Sequence, residues 1–282
     1  MKYRTDLAVE GVNYASDSNG IKQVKRGKAF KITEITIEND NHINTIGKGK
    51  GIYITLENEK LGSFSDSYKE MALELADELK MLIPEGEALV VGLGNEEITP
   101  DALGPQTAHK VLATRHLQDE LSEGEDDFLT SLRRVSVFAG GVLGQTGIET
   151  AEIVRAISKQ INPSVIIAVD ALACSEISRL GTTIQISDSG ISPGSGVANT
   201  RKELSQRVFG IPVIAVGVPT VVDMHTIVES LTGSKPERNM PNMMVTPRDI
   251  DRLTERTAQL IAFAINLALQ PTMTFEDVRG LF

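Results

Sequence analysis

VVGLGNEEITPDALGP, residues 90–105, is the stretch whose reading decides the fold. An apolar run closes on Gly92-Leu93-Gly94, and a helical pattern opens near Ala102. Strand, glycine turn and helix in that order form the repeating unit of an α/β sheet. Loops of this shape often hold phosphate on a helix N-terminus, yet no Lys or Arg stands here to help. An acid, Asp101, follows Pro100 at the mouth of the loop instead.

Working outward, similar short apolar runs recur: ALVVGLG (88–94), VSVFAG (135–140), VIIAVDALA (165–173), TIQIS (183–187) and VIAVGVP (213–219). Runs without polar alternation suit strands covered on both faces. Helical patterns over 102–119, 147–161 and 199–208 fill three of the gaps. The expected fold is α/β, with a mainly parallel central sheet flanked by helices. A last helix is predicted from Thr246 as cap, through Pro247 and Asp249, to about Leu269. The N-terminal part reads differently. AFKITEITIEN (29–39) and GIYITLEN (51–58) alternate apolar and polar residues, which predicts an antiparallel pair with one wet face. A helix opened by Ser65 or Asp66 follows, with Met71, Leu75, Leu79 and Leu82 on one side and Pro84 at its stop. The chain therefore reads as one domain over 1–282, an antiparallel β addition over 7–62 joined to an α/β core over 63–282. Residues 234–244, SKPERNMPNMM, are its most loop-like stretch.

Composition excludes several functions. There are 38 acids against 28 bases, a formal charge of −10. That disfavours direct contact with nucleic acid, whose affinity comes largely from Lys and Arg at phosphates. No Trp and few other aromatics leave no platform for stacked bases. The single Cys174 excludes an intrachain disulfide and a Cys-built zinc site, and reads as a small buried apolar side chain. No apolar run is long enough for a membrane span, and MKYRTDLAVE lacks the apolar centre of a signal peptide. A soluble, cytoplasmic protein without membrane contact is expected.

Sites in open α/β sheets lie beyond the carboxyl ends of the strands. Those ends carry glycines and acids here, with no Lys or Arg in the turns. Asp170 closes the run VIIAV, where an acid suits only an open strand end. Asp101 and Asp170 together could form a carboxylate pair, one holding a proton while the other acts as base. The plainer reading makes each acid the cap of a following helix, and pattern alone favours it. Asp188, before Ser189-Gly190, reads as a turn former, Asp223 as a helix cap, and Glu149 as an acid suited to a helix dipole. Ser195 in PGSGV resembles a tight elbow but lacks the Gly-x-Ser-x-Gly pattern. His225 is the one His near a strand end; with Asp101 and Asp170 it could bind a metal, although a single His is a thin ligand set.

VVGLGNEEITPDALGP, GQTGIET, VDALA, TTIQISDSGISPGSGVANTRKE and GIPVIAVGVPTVVD, in that order, resemble the germination proteases of spore-forming bacteria. The likeness runs from TDLAVE to MVTPRDID. It implies a fold like that of the hydrogenase maturation endopeptidases and an atypical aspartic endopeptidase without metal or cofactor. Its substrates would be the small acid-soluble spore proteins, met in the cytoplasm of the forespore and spore core. The two essential acids of the family match Asp101 and Asp170. Gly92, Gly94, Asn95, Thr99 and Asp188 are expected to support the loops of that active site. The resemblance further implies a homotetramer, and a zymogen that trims itself. The family cuts its substrates after Glu, before an apolar residue, Ala, Ser and Glu. Asp6-Leu7-Ala8-Val9-Glu10 mimics that pattern, so cleavage is expected between Asp6 and Leu7, with 1–6 as propeptide. Departures are a shorter 234–244 loop, Val197-Ala198-Asn199 in place of Val-Gly-Asn, and no His near SDSGIS, where the maturation enzymes have a metal ligand. Two other functions compete: a metal-dependent endopeptidase or amidase of the hydrogenase maturation type, and a non-catalytic binding module.

Overall fold

The structure is a computed structural model, and it describes residues 5–13, 20–63, 66–120, 127–192, 202–234, 236 and 240–282. The expectations for Ser65, Ser195, Val197-Ala198-Asn199, the first residues of the 199–208 helix and parts of 1–6 and 234–244 lie outside these residues.

Among the described residues nine strands form one sheet: β1 (Ile21–Arg26), β2 (Lys31–Ile37), β3 (Gly51–Glu57), β4 (Ala88–Gly92), β5 (Val135–Ala139), β6 (Val165–Cys174), β7 (Thr183–Ser187), β8 (Val213–Asp223) and β9 (Met244–Val245). Their order is β1-β2-β3-β7-β8-β6-β4-β5, with β9 on the end of β8. Only β5, β4, β6 and β8 run parallel to their neighbours in that group. β7 is antiparallel to both β8 and β3, so the sheet is mixed rather than mainly parallel. The reason lies in the β6–β7 connection. Residues 175–182 hold only a 3-10 turn, Ile177–Arg179, whereas a parallel return needs a dozen or more residues and usually a helix. Residues 7–62 join the core through the sheet itself. β3 pairs with β7 from Tyr53 opposite Ser187 to Glu57 opposite Thr183, so the N-terminal hairpin continues the same sheet. β1, at the edge, alternates little and carries Lys22, Lys25 and Arg26, the charges that discourage edge-to-edge pairing.

Several helices differ from expectation. The pattern over 102–119 gives Leu103–Ala108 and, after an interruption, Arg115–Glu120. Asn266, from the long C-terminal helix, accepts from Leu112 N at 2.9 Å and donates to Lys110 O at 2.9 Å, and Thr114 N bonds Val135 O. These tertiary partners take the backbone groups a continuous helix would use. Gly147, left-handed at φ 71°, ends a single turn over Leu143–Thr146, and the next helix is Thr150–Ile161. The last long helix runs Ile250–Leu269 with Asp249 at its N-cap position. Thr246 is not its cap; its hydroxyl donates to Thr220 O at 2.8 Å and ties the approach to β8.

Strand parity divides the sheet into two faces. Val90, Ile167, Val169, Ile184, Ile186, Ile214 and Val216 point to the first, under the helices Tyr68–Lys80, Leu103–Ala108 and Ile250–Leu269. Each of these fully buried side chains contributes about 1.5–3 kcal/mol. The second face is covered in two separate patches. One holds Leu89, Val91, Ile166, Ala168 and Val213 beneath Ala151 and Val154 of the helix Thr150–Ile161. The other holds Ile35, Ile37, Tyr53, Leu172 and Cys174 beneath Leu7, Ala8 and Val9. Cys174 is fully buried and free, and burial pushes its thiol well up, as a small apolar side chain requires.

Candidate active site

Between those two patches the second face carries Asp170 on β6, Gln185 and Ser187 on β7, and Ala215 and Gly217 on β8. They line a cleft of about 660 Å³, with Tyr53, Lys48, Asp188 and Asp6 around them. The cleft therefore opens where the antiparallel half of the sheet meets the parallel half. Asp170 does not end its strand: β6 continues to Cys174, paired with β8 past a register shift between Leu172 and Ala173. Its side chain is 5 % exposed and accepts from Ala171 N at 2.9 Å. No helix follows Asp170 directly, so it is not a cap.

Asp101 closes a 3-10 turn, Thr99–Asp101, that packs against β6 and β8. Its carboxylate accepts from Asn95 N at 2.7 Å. The helix Leu103–Ala108 takes Ala102 as its N-cap, with no side-chain bond, so the capping expectation fails for Asp101 too. Close backbone approaches and hydrogen bonds hold this turn in place. Gly94 has φ +112°, and a Cβ there would lie 2.0 Å from Asp101 O. A Cβ at Gly92 would lie 2.4 Å from Gly104 O, and one at Gly104 would lie 2.4 Å from Val169 O, so the helix start rests on the end of β4 and on β6. Thr220 Oγ1 donates to Pro100 O at 2.7 Å, and Thr254 Oγ1 to Thr99 O at 3.5 Å. Asn95 Oδ1 accepts from Glu97 N at 3.0 Å and from Gln145 Nε2 at 2.9 Å. Asp170 is part of the cleft lining and Asp101 is not; they are linked through the turn that rests on β6.

Asp188 follows β7 directly and bonds across to β3, accepting from Ile52 N at 2.7 Å. Burial raises its carboxyl above the usual range, and the Ile52 hydrogen bond pulls the other way. Asp223 is the helix cap the pattern predicted, accepting from His225 N at 3.0 Å and Thr226 N at 3.3 Å. His225 Nε2 lies 2.9 Å from Met240 O. Among the described residues no three His, Cys, Asp or Glu side chains cluster as metal ligands.

The N-terminal segment lies against this cleft. Asp6 N donates to Ala173 O at 2.9 Å, and Ala173 N donates to Asp6 Oδ2 at 2.9 Å. Gln185 holds the segment on both sides of Leu7, Nε2 donating to Asp6 O at 2.8 Å and Oε1 accepting from Ala8 N at 2.7 Å. Glu10, fully buried, is anchored by Ser175 N at 2.8 Å, Ser175 Oγ at 2.7 Å and Glu176 N at 2.9 Å, with Arg179 Nε at 3.8 Å. Burial pushes the Lys48 ammonium below its ordinary value, while the Asp6 and Glu10 carboxylates pull it back up. Gln185, Lys48 and Tyr53 were missed by motif reading. Gln185 had a signal: it is the polar residue inside the buried run TIQIS, where something must bond its amide.

Fold and cleft define a class first: a mixed α/β protein with one buried carboxylate, Asp170, in a cleft against which the chain's own N-terminal segment lies. The comparisons then give the family. The germination protease family profile matches residues 5–232. A germination protease of Clostridium tetani is 38% identical over 324 aligned positions, covering 99% of this chain and 99% of that one. One of Clostridium acetobutylicum is 38% identical, covering 98% and 97%, and one of Priestia megaterium is 44% identical, covering 79% and 64%. The chain belongs to the germination protease family and is, at that level, a peptidase of spore germination. The alignment with the Clostridium tetani relative is longer than this chain's 282 residues, so that relative carries residues this chain lacks. A [NiFe] hydrogenase maturation protease of Thermococcus kodakarensis overlays with TM-score 0.36 at 17% identity, over 67% of this chain and 98% of that one, a likeness too slight to carry weight. No helix among the described residues is long and apolar enough to cross a membrane.

Proposed function

We propose that the chain is an aspartic endopeptidase that begins the digestion of small acid-soluble spore proteins, with Asp170 and Asp101 handling the water and its protons. The observation that carries the reading is Asp170 in a cleft that Asp6 also lines, its carbonyl held by Gln185. In hydrolysis a water oxygen attacks the carbonyl carbon and its proton passes to a carboxylate. The carbon–nitrogen bond then breaks, and the leaving amine takes a proton from the pair. Spore proteins of this kind are largely disordered when free, so an extended segment enters without unfolding a core. The acidic substrate pattern fits a groove where an Asp side chain sits on a backbone N–H near a lysine. We also propose that the chain is made as a zymogen, trims itself between Asp6 and Leu7, and works as a homotetramer.

Intact mass after incubation at mildly acidic pH tests the trimming. Loss of residues 1–6 in the parent, and none in Asp101→Asn, is the expected result. An unchanged N-terminus in a chain that digests spore proteins would remove the zymogen from the account.

A further inference from the structure

Gln185 is 7 % exposed and sits in β7 between Ile184 and Ile186, which face the opposite side of the sheet. A buried side-chain amide needs partners, and this one takes them from the N-terminal segment. Asp6 O can only accept and Ala8 N can only donate, so the amide orientation is settled: Nε2 faces the carbonyl and Oε1 faces the N–H. The two contacted groups are backbone atoms on either side of Leu7, and the Ala8 N–H is the first of the short helix Ala8–Asn13. The contacted carbonyl, Asp6 C=O, is the carbonyl of the bond expected to be cut, and Asp170 lines the same cleft.

We infer that Gln185 is a catalytic residue that stabilises the oxyanion on the scissile carbonyl and reads the peptide backbone one residue beyond the cut. The inference rests on the peptidase reading above. As water adds to the carbonyl carbon, its oxygen gains the electron pair of the π bond and becomes negative. Nε2–H, already 2.8 Å away, strengthens its hydrogen bond at that moment, which lowers the barrier and not merely the ground state. When the carbonyl re-forms, the pair returns, the carbon–nitrogen bond breaks and the amine leaves with a proton from the carboxylates. Oε1 meanwhile fixes the N–H beyond the departing residue, so the bond stays aligned with the attacking water.

The test uses Gln185→Glu and Gln185→Met in the full chain, with circular dichroism as a folding check. Both remove the neutral N–H donor; Gln185→Glu keeps size and an acceptor for the substrate N–H. With a small acid-soluble spore protein as substrate, kcat should fall about 10²–10³-fold in each. KM should stay closer to the parent's in Gln185→Glu than in Gln185→Met, because only the former still accepts from the backbone. Single-turnover loss of residues 1–6 should slow in step with kcat. A parent that cuts, beside a folded variant whose kcat stays within about threefold, overturns the inference; should Gln185→Met misfold, the isosteric Gln185→Glu decides. A parent that cuts neither its own N-terminus nor the spore protein overturns the peptidase reading, and this inference with it.

Discussion

The two faces of the sheet are built from the same strands and differ in one respect. On the first face the inward residues of β3, β7, β8, β6 and β4 make one continuous apolar cluster. On the second face β7, β8 and β6 present Gln185, Ser187, Ala215, Gly217 and Asp170, a band of polar and small residues between two apolar patches. One face holds the molecule together, and the other gives up part of its core to a cleft against which the N-terminal segment lies. The difference is a matter of parity: in TIQIS and VIIAVD the residues that point one way are apolar, and those that point the other include the amide and the acid. A buried carboxylate and a buried amide are costly unless they are bonded, and here Ala171 N bonds the Asp170 carboxylate while Asp6 O and Ala8 N bond the Gln185 amide.

That contrast can be broken by substitution. Asp170→Asn and Asp101→Asn should each lower cleavage by at least about 10²-fold, since a carboxamide cannot take up a proton as a base. The urea midpoint of both should stay near the parent's. Loss of structure along with activity, or near-normal turnover, would remove that acid from the mechanism. Leu75→Ala probes the opposite face. Fully buried against the first-face cluster, it should cost about 2–5 kcal/mol of stability, read from urea unfolding, while kcat in native buffer holds. A specific loss of kcat would mean that the two faces are not separable.

Smaller effects sharpen the picture. Gly94→Ala should cost about 1–3 kcal/mol, because the added Cβ meets the Asp101 carbonyl at a positive φ, and activity should fall as the Asp101 turn shifts. Asp188→Asn should be mildest. Asn keeps an acceptor for Ile52 N and suits the strand end. Burial raises the Asp188 carboxyl, so the stability it contributes is present below the ordinary carboxylate pKa and lost as pH rises through the raised value. The parent should therefore lose stability relative to Asp188→Asn across that window, and comparing urea midpoints at acidic and neutral pH measures it. A variant less stable than the parent at neutral pH would show that the charged form is favoured.

Much of this was legible in the sequence, because buried strands announce themselves as apolar runs. β7 matches TIQIS, and β4, β5 and β6 end within a residue or two of their runs. Strand direction was not legible: apolar runs look alike whether parallel or antiparallel, and only the short 175–182 connection pointed to the turn of β7. Helix length failed where distant side chains, Asn266 above all, claimed the backbone beyond Val111. Asp223 capped as its position predicted, since that device is local. The capping reading of Asp101 and Asp170 failed because it assumed a helix directly after each, and Asp170 lies inside a strand. Gln185 and Lys48 reach the cleft from distant parts of the chain, and no spacing connects them to Asp170.

Digestion of a purified small acid-soluble spore protein tests the central claim most directly. The chain, freed of residues 1–6, should give a few defined fragments by mass spectrometry, each cut after an acid and before an apolar residue and Ala. Asp170→Asn should give none. An intact substrate with the folded parent chain, or equal digestion by Asp170→Asn, would contradict the account.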